Sequence, residues 1–198
     1  MVYDHGFGDL GNALYEACTC YPPDFEKIDA ILAQGINLNA DSDSDPDENL
    51  LSSIILGYPQ IQDMLLFCME GGDCHECQYY EDCDLRVPDA DGRYLPQIVK
   101  RFVNHGFDCS RRSGQAGGIC LINLTWSSYD TYILDAAKLL LAAGADPMTA
   151  PHSDSPDTVL DWVATKMSAA YCVYDDWEQA ELFTALYDIL DAARKDDL

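Results

Sequence analysis

One short unit recurs along this chain and limits what it can fold into. Residues Tyr132 to Thr149 read YILDAAKLLLAAGADPMT, with Ile133, Leu134, Ala137, Leu140 and Leu141 at helical spacing and Gly144 placed where a left-handed residue closes a helix. Asp146-Pro147 then turns the chain away. The same order, an amphipathic helix, a glycine, and a small or apolar residue near Asn or Asp, returns around Gly35, Gly71 and Gly106. A spacing in the mid-thirties between successive copies is the signature of a helical repeat array, in which each unit buries its apolar face against the next.

The 198 residues, 48% hydrophobic, suffice for one domain spanning 1–198. Met1 onward shows no basic-then-apolar leader, and no apolar run approaches the roughly 20 residues that span a bilayer. A cytoplasmic protein without a membrane partner is therefore expected. Nine cysteines make an odd count, and Cys18, Cys20, Cys68, Cys120 and Cys172 fall in helix-like stretches, where reduced thiols pack as small apolar groups. The net charge of −24 argues against nucleic acid or anionic membrane as partner, because like charges repel. The acid is unevenly spread: residues 1–50 hold 11 acids and one base, whereas residues 101–150 hold four of each. The carboxylates provide solubility or attract a basic partner.

Several motifs fail on context. Gly6, Gly8 and Gly11 match a dinucleotide-binding glycine pattern, but five residues are too few for the strand that must precede it. A first helix with Leu10, Ala13, Leu14 and Ala17 on one face explains the stretch better. Asp24 is placed to cap a second helix, buried through Phe25, Ile28, Ile31 and Leu32. The alternating run Asp41, Asp43, Asp45, Asp47 suggests calcium, yet an EF-hand loop starting at Asp41 has Pro46 where glycine is needed and Ser52 where the bidentate Glu belongs. A solvated acidic hairpin tip is the better reading. Leu50, Leu51, Ile54, Ile55 and Leu56 then make a helix apolar on most sides, suited to an inner position.

Residues 73–93 depart from the pattern and read as an irregular Cys-containing insertion. Cys74 and Cys77 form a C-x2-C pair able to hold one tetrahedral metal, zinc or a cluster iron, with His75 or Cys83 as third ligand and Cys109 as a distant fourth. An insertion that binds no metal is the competing and favoured reading, so no cofactor is expected. Farther on, Ile98, Phe102 and Val103 are the expected buried face of a helix that exposes Lys100 and Arg101. Arg111 and Arg112 form an adjacent basic pair in a polar turn. Leu121, Ile122, Leu124 and Trp126 belong to a further inner helix over 119–128, where Trp126 clusters with Tyr129 and Tyr132.

Thr158-Val159-Leu160-Asp161 resembles the Thr-Pro-Leu-His signature of ankyrin repeats in a terminal variant, and Leu139 to Pro147 resembles the ankyrin outer helix and its exit. The resemblance implies an all-α fold, an ankyrin-like solenoid of about four to five helix hairpins with short extended hairpin loops. Residues 177–193 fit its capping helix, with a stripe of Leu182, Leu186, Ile189, Leu190 and Ala193 and a polar outer face.

No nucleophile, base and oxyanion donor come together in the sequence, so an enzyme is not expected. The resemblance implies a protein–protein interaction module acting through hairpin tips and the concave face. Candidate partner contacts are Asp41, Asp43, Asp45, Asp47, Arg111, Arg112, Trp126, His152 and Asp154. The alternative is an acidic inhibitor that mimics nucleic acid and neutralises a basic nucleic-acid-processing protein.

Overall fold

The computed structural model describes residues 8–20, 22–40, 49–56, 93–110, 116–125, 131–150, 157–170 and 177–196. Among these, all regular elements are helices: α1 (Gly8–Thr19), α2 (Phe25–Leu32), α3 (50–56), α4 (Leu95–Asn104), α5 (Ala116–Leu124), α6 (Tyr132–Ala142), α7 (Val159–Ala169) and α8 (Trp177–Asp196). None of them is long and apolar enough to cross a membrane.

Local chemistry explains most of the boundaries. The Asp24 carboxylate accepts the Lys27 N–H at 2.9 Å and caps α2, as its position in the sequence implies. At α3, Asn49 and Ser52 satisfy each other reciprocally: Asn49 Oδ1 accepts the Ser52 N–H at 2.9 Å and Ser52 Oγ accepts the Asn49 N–H at 3.0 Å. Thr158 and Asp161 do the same for α7 and form a capping box. α4 starts with Pro96 in its first turn, where a missing N–H leaves no bond unmade.

Within the described structure the helices pair and then stack. α1 packs on α2, α5 on α6 and α7 on α8. One series of contacts runs from α4 to α6 to α8, and another from α5 to α7. Side chains extend both series backwards. Arg101 of α4 ion-pairs with Asp29 of α2 at 2.8 Å and lies 4.2 Å over the Phe25 ring. Asn123 of α5 donates to the Ser52 carbonyl of α3 at 3.1 Å. A single hydrophobic core joins them, from Leu14 through Ile28, Ile54, Phe102, Leu121 and Leu140 to Leu190.

The helices closed by Gly35 and Gly106 touch through Asp29 and Arg101, and the copy around Gly71 lies in 57–92, outside the described residues. Two expectations need correction. On α1, Leu14 and Ala17 are buried and Ala13 packs against the core as expected, but Leu10 is 41% exposed and the buried face instead takes in Gly11, Asn12 and Cys18. Arg101 is not a free surface base but half-buried between Asp29 and Phe25, its stem and guanidinium filling the space between α2 and α4.

Candidate partner-binding edge

Three helices of the structure end alike. Gly35, Gly106 and Gly144 adopt left-handed φ values of 77°, 92° and 93°, which a side chain would resist. After α4 the Phe107 N–H reaches back to the Phe102 carbonyl, and after α6 the Ala145 N–H reaches back to Leu140, both at 3.0 Å. These are the six-to-one bonds of a Schellman motif, and the Phe102 and Phe107 rings pack edge to face beside the first. Two residues past each glycine an Asn or Asp side chain folds onto its own backbone. Asn37 accepts the Asn39 N–H at 3.1 Å, Asp108 the Ser110 N–H at 2.9 Å, and Asp146 the Met148 N–H at 2.8 Å.

Residues along these loops alternate between inside and outside. Leu38, Phe107, Cys109, Ala145 and Pro147 are buried and anchor the loops, while Asn37, Asp108, Ser110, Asp146 and Met148 are exposed. The loops also lie side by side. Asn39 Nδ2 donates to the Gly106 carbonyl at 2.9 Å, and Asn39 Oδ1 accepts the Asp108 N–H at 2.8 Å. A Cβ on Gly144 would lie 3.4 Å from Ser110 Cβ, which places the third loop against the second. The result is one edge with a repeated backbone that exposes Asn37, then Asp108 and Ser110, then Asp146 and Met148. Sequence reasoning marked the glycines but missed Asn39; the Asn or Asp two places after each glycine was the visible signal for the turns.

The inner helices offer little to a partner. Residues 49–55, nearly all of α3, and 118–125, the later part of α5 and the residue after it, are buried throughout, so these residues of the concave face expected for recognition expose no side chain. Their buried polar groups face one another instead: Cys120 Sγ lies 3.7 Å from Asn49 Oδ1, and Trp162 Nε1 of α7 donates to Thr125 Oγ1 at 3.3 Å. On α7, Asp161, Thr165 and Ser168 remain exposed.

The residues singled out in the sequence, Asp41, Asp43, Asp45, Asp47, Arg111, Arg112, Trp126, His152 and Asp154, all lie outside the described residues, as do Cys74, His75, Cys77 and Cys83. Cys109, the distant fourth ligand, is described and is 3% exposed. Burial, and then the Asp108 charge beside it, push its thiol up to about 12, which favours the protonated form over a metal-binding thiolate. Cys18 and Cys120 are likewise pushed up, chiefly by burial, and behave as packed apolar groups. Among the described residues no group of three His, Cys, Asp or Glu side chains is placed to hold a metal ion.

Comparison of the chain with protein-family models, with curated proteins and with solved structures finds no match.

Proposed function

We propose that the chain is a protein–protein interaction module of ankyrin type, a short solenoid of helix hairpins that binds another protein through its loop edge. The observation that carries this reading is the row of three like loops, closed by Gly35, Gly106 and Gly144 and joined through Asn39. A repeated backbone frame that presents a row of exposed side chains makes a recognition surface at small cost in loop entropy. The two series of helix contacts support the solenoid, and the Thr158–Asp161 capping box at the start of α7 falls within the ankyrin-like block. The module acts by binding rather than catalysis, in the cytoplasm.

The test uses the full chain as bait in extract from its native host, followed by identification of the retained protein. Charge reversal of the edge, Asp108→Lys with Asp146→Lys, is expected to abolish retention while Glu26→Lys on the outer surface of α2 leaves it intact. Retention unaffected by the edge double variant would overturn the assignment of this surface.

A second reading, the acidic inhibitor that neutralises a basic nucleic-acid-processing protein, is favoured by the net charge of −24 and by the run Asp41 to Glu48, which directly follows the first loop. Replacing Asp41, Asp43, Asp45 and Asp47 with Asn should then weaken binding steeply and in a salt-dependent way. Affinity indifferent to salt between about 50 and 500 mM removes this second reading.

A further inference from the structure

α4 and α6 pack side by side and leave a groove of about 380 Å³ on their exposed side, within the size range of small binding sites. Pro96, Gln97 and Lys100 of α4 line one wall, and Asp135, Lys138 and Leu139, one face of α6, line the other. All six are described residues. Pro96 and Leu139 are half-buried and supply an apolar floor, while Gln97, Lys100, Asp135 and Lys138 stand exposed around it. The lysine stems add hydrocarbon to the walls. In charge this groove is an exception within an acidic molecule. α4 carries two bases and no acid, and the groove holds two lysines against one carboxylate in a chain of 35 acids and 11 bases. Arg101, the other base of α4, is taken by Asp29, whereas among the described residues no carboxylate pairs with Lys100. Lys138 pairs with Asp135 at 3.0 Å, but both side chains are more than half exposed, and an ion pair in that setting holds a lysine too weakly to keep it from a competing carboxylate.

We propose that the groove between α4 and α6 docks a segment of a partner protein in which aliphatic side chains flank a pair of carboxylates. The aliphatic groups cover Pro96 and Leu139, and the carboxylates meet Lys100 and Lys138 in charge-assisted hydrogen bonds. At physiological ionic strength charges farther than about 8 Å are screened, so the two lysines, rather than the net charge of −24, set the sign that a docked carboxylate meets. That net charge still limits the occupant. A long polyacidic chain would extend over the acidic surface beyond the groove and be repelled, as would a second copy of this protein, so the carboxylates of the partner are few and local. The groove shares no residue with the loop edge, and the inference does not depend on that surface.

The probe is the blocked peptide acetyl-Ala-Leu-Glu-Glu-Leu-Ala-amide, titrated into the nitrogen-15-labelled full chain at roughly 150 mM salt and followed by amide chemical shifts. Saturable shifts are expected at Lys100, Lys138 and Leu139. Lys100→Gln and Lys138→Gln should each weaken binding about two- to fivefold, and the two together about five- to tenfold, with the thermal midpoint unchanged. Lys27→Gln removes the same charge from the exposed surface of α2 and should leave binding as it is. Two further peptides separate the two halves of the recognition: replacing both Glu by Gln removes the charge, replacing both Leu by Ser removes the aliphatic contact, and each should weaken binding. The proposal falls if the first peptide gives no saturable shifts at the groove, or if either lysine variant stays within about 1.5-fold of wild type. It falls equally if Lys27→Gln weakens binding as much as Lys100→Gln, or if either altered peptide binds as well as the first. The loop-edge assignment stands or falls separately, by its own double variant.

Discussion

Leu140 has no exposed surface and sits on the face of α6 that meets the core. Leu140→Ala should therefore destabilise the fold by about 2–5 kcal/mol, the spread reflecting how far the neighbours relax into the space left, and chemical denaturation would show it. Two glycines give opposite expectations. A Cβ on Gly118 of α5 would meet Thr149 at 3.5 Å and Val159 at 3.6 Å, ordinary contact distances, in a backbone region that alanine shares. Gly118→Ala should thus stabilise by about 0.5–1 kcal/mol, chiefly by restricting the unfolded chain. At Gly144, with φ at 93° and Ser110 already 3.4 Å from the position of an added Cβ, alanine should cost about 1–2 kcal/mol. Parallel thermal melts of the two variants check the signs. Gly144 was readable from the sequence because its role is local; Gly118 was not, since its neighbours, Thr149 and Val159, lie far along the chain.

At the scale of elements, the start of α7 carries the clearest pH signature. Bonds from the Thr158 hydroxyl and then from the Thr158 backbone N–H hold the Asp161 carboxyl below its ordinary 3.8. A depressed folded value means that the ionised form is the bonded one. Its contribution is fully present above the unfolded value of 3.8 and is lost as pH falls through the lower folded value. Asp161→Asn should accordingly lower the thermal midpoint at pH 7, and the gap to wild type should close as pH falls below 3.8 and through the lower folded value. Removal of the other half of the cap, Thr158→Ala, should cost about 0.5–2 kcal/mol at neutral pH by the same melts. This cap was legible as a four-residue pattern. The buried face of α1 was not: Leu10 and Leu14 have similar hydrophobicity, and only the position of the neighbouring helix decides that Leu14 goes in and Leu10 stays out.

Across the whole molecule, 35 acids against 11 bases put like charges close together on the surface. Screening relieves that repulsion, so the melting temperature should rise between about 10 and 200 mM sodium chloride, the range in which the Debye length falls from about 30 Å to under 10 Å. A flat or falling midpoint in calorimetry would show that ion pairs such as Arg101 with Asp29 outweigh the repulsion. The amino-acid order alone determined the helices, the glycines that stop them and the acidic surface, because apolar periodicity, left-handed φ and net charge need no distant partner. Which copies become neighbours was decided only by tertiary packing. Asn39 bonds to Gly106 and Asp108, and Asp29 pairs with Arg101, across a stretch of chain that holds another copy of the unit. The same is true of the all-round burial of 49–55 and 118–125, because side-chain exposure depends on what folds over a helix, and nothing in a helix's own sequence records that.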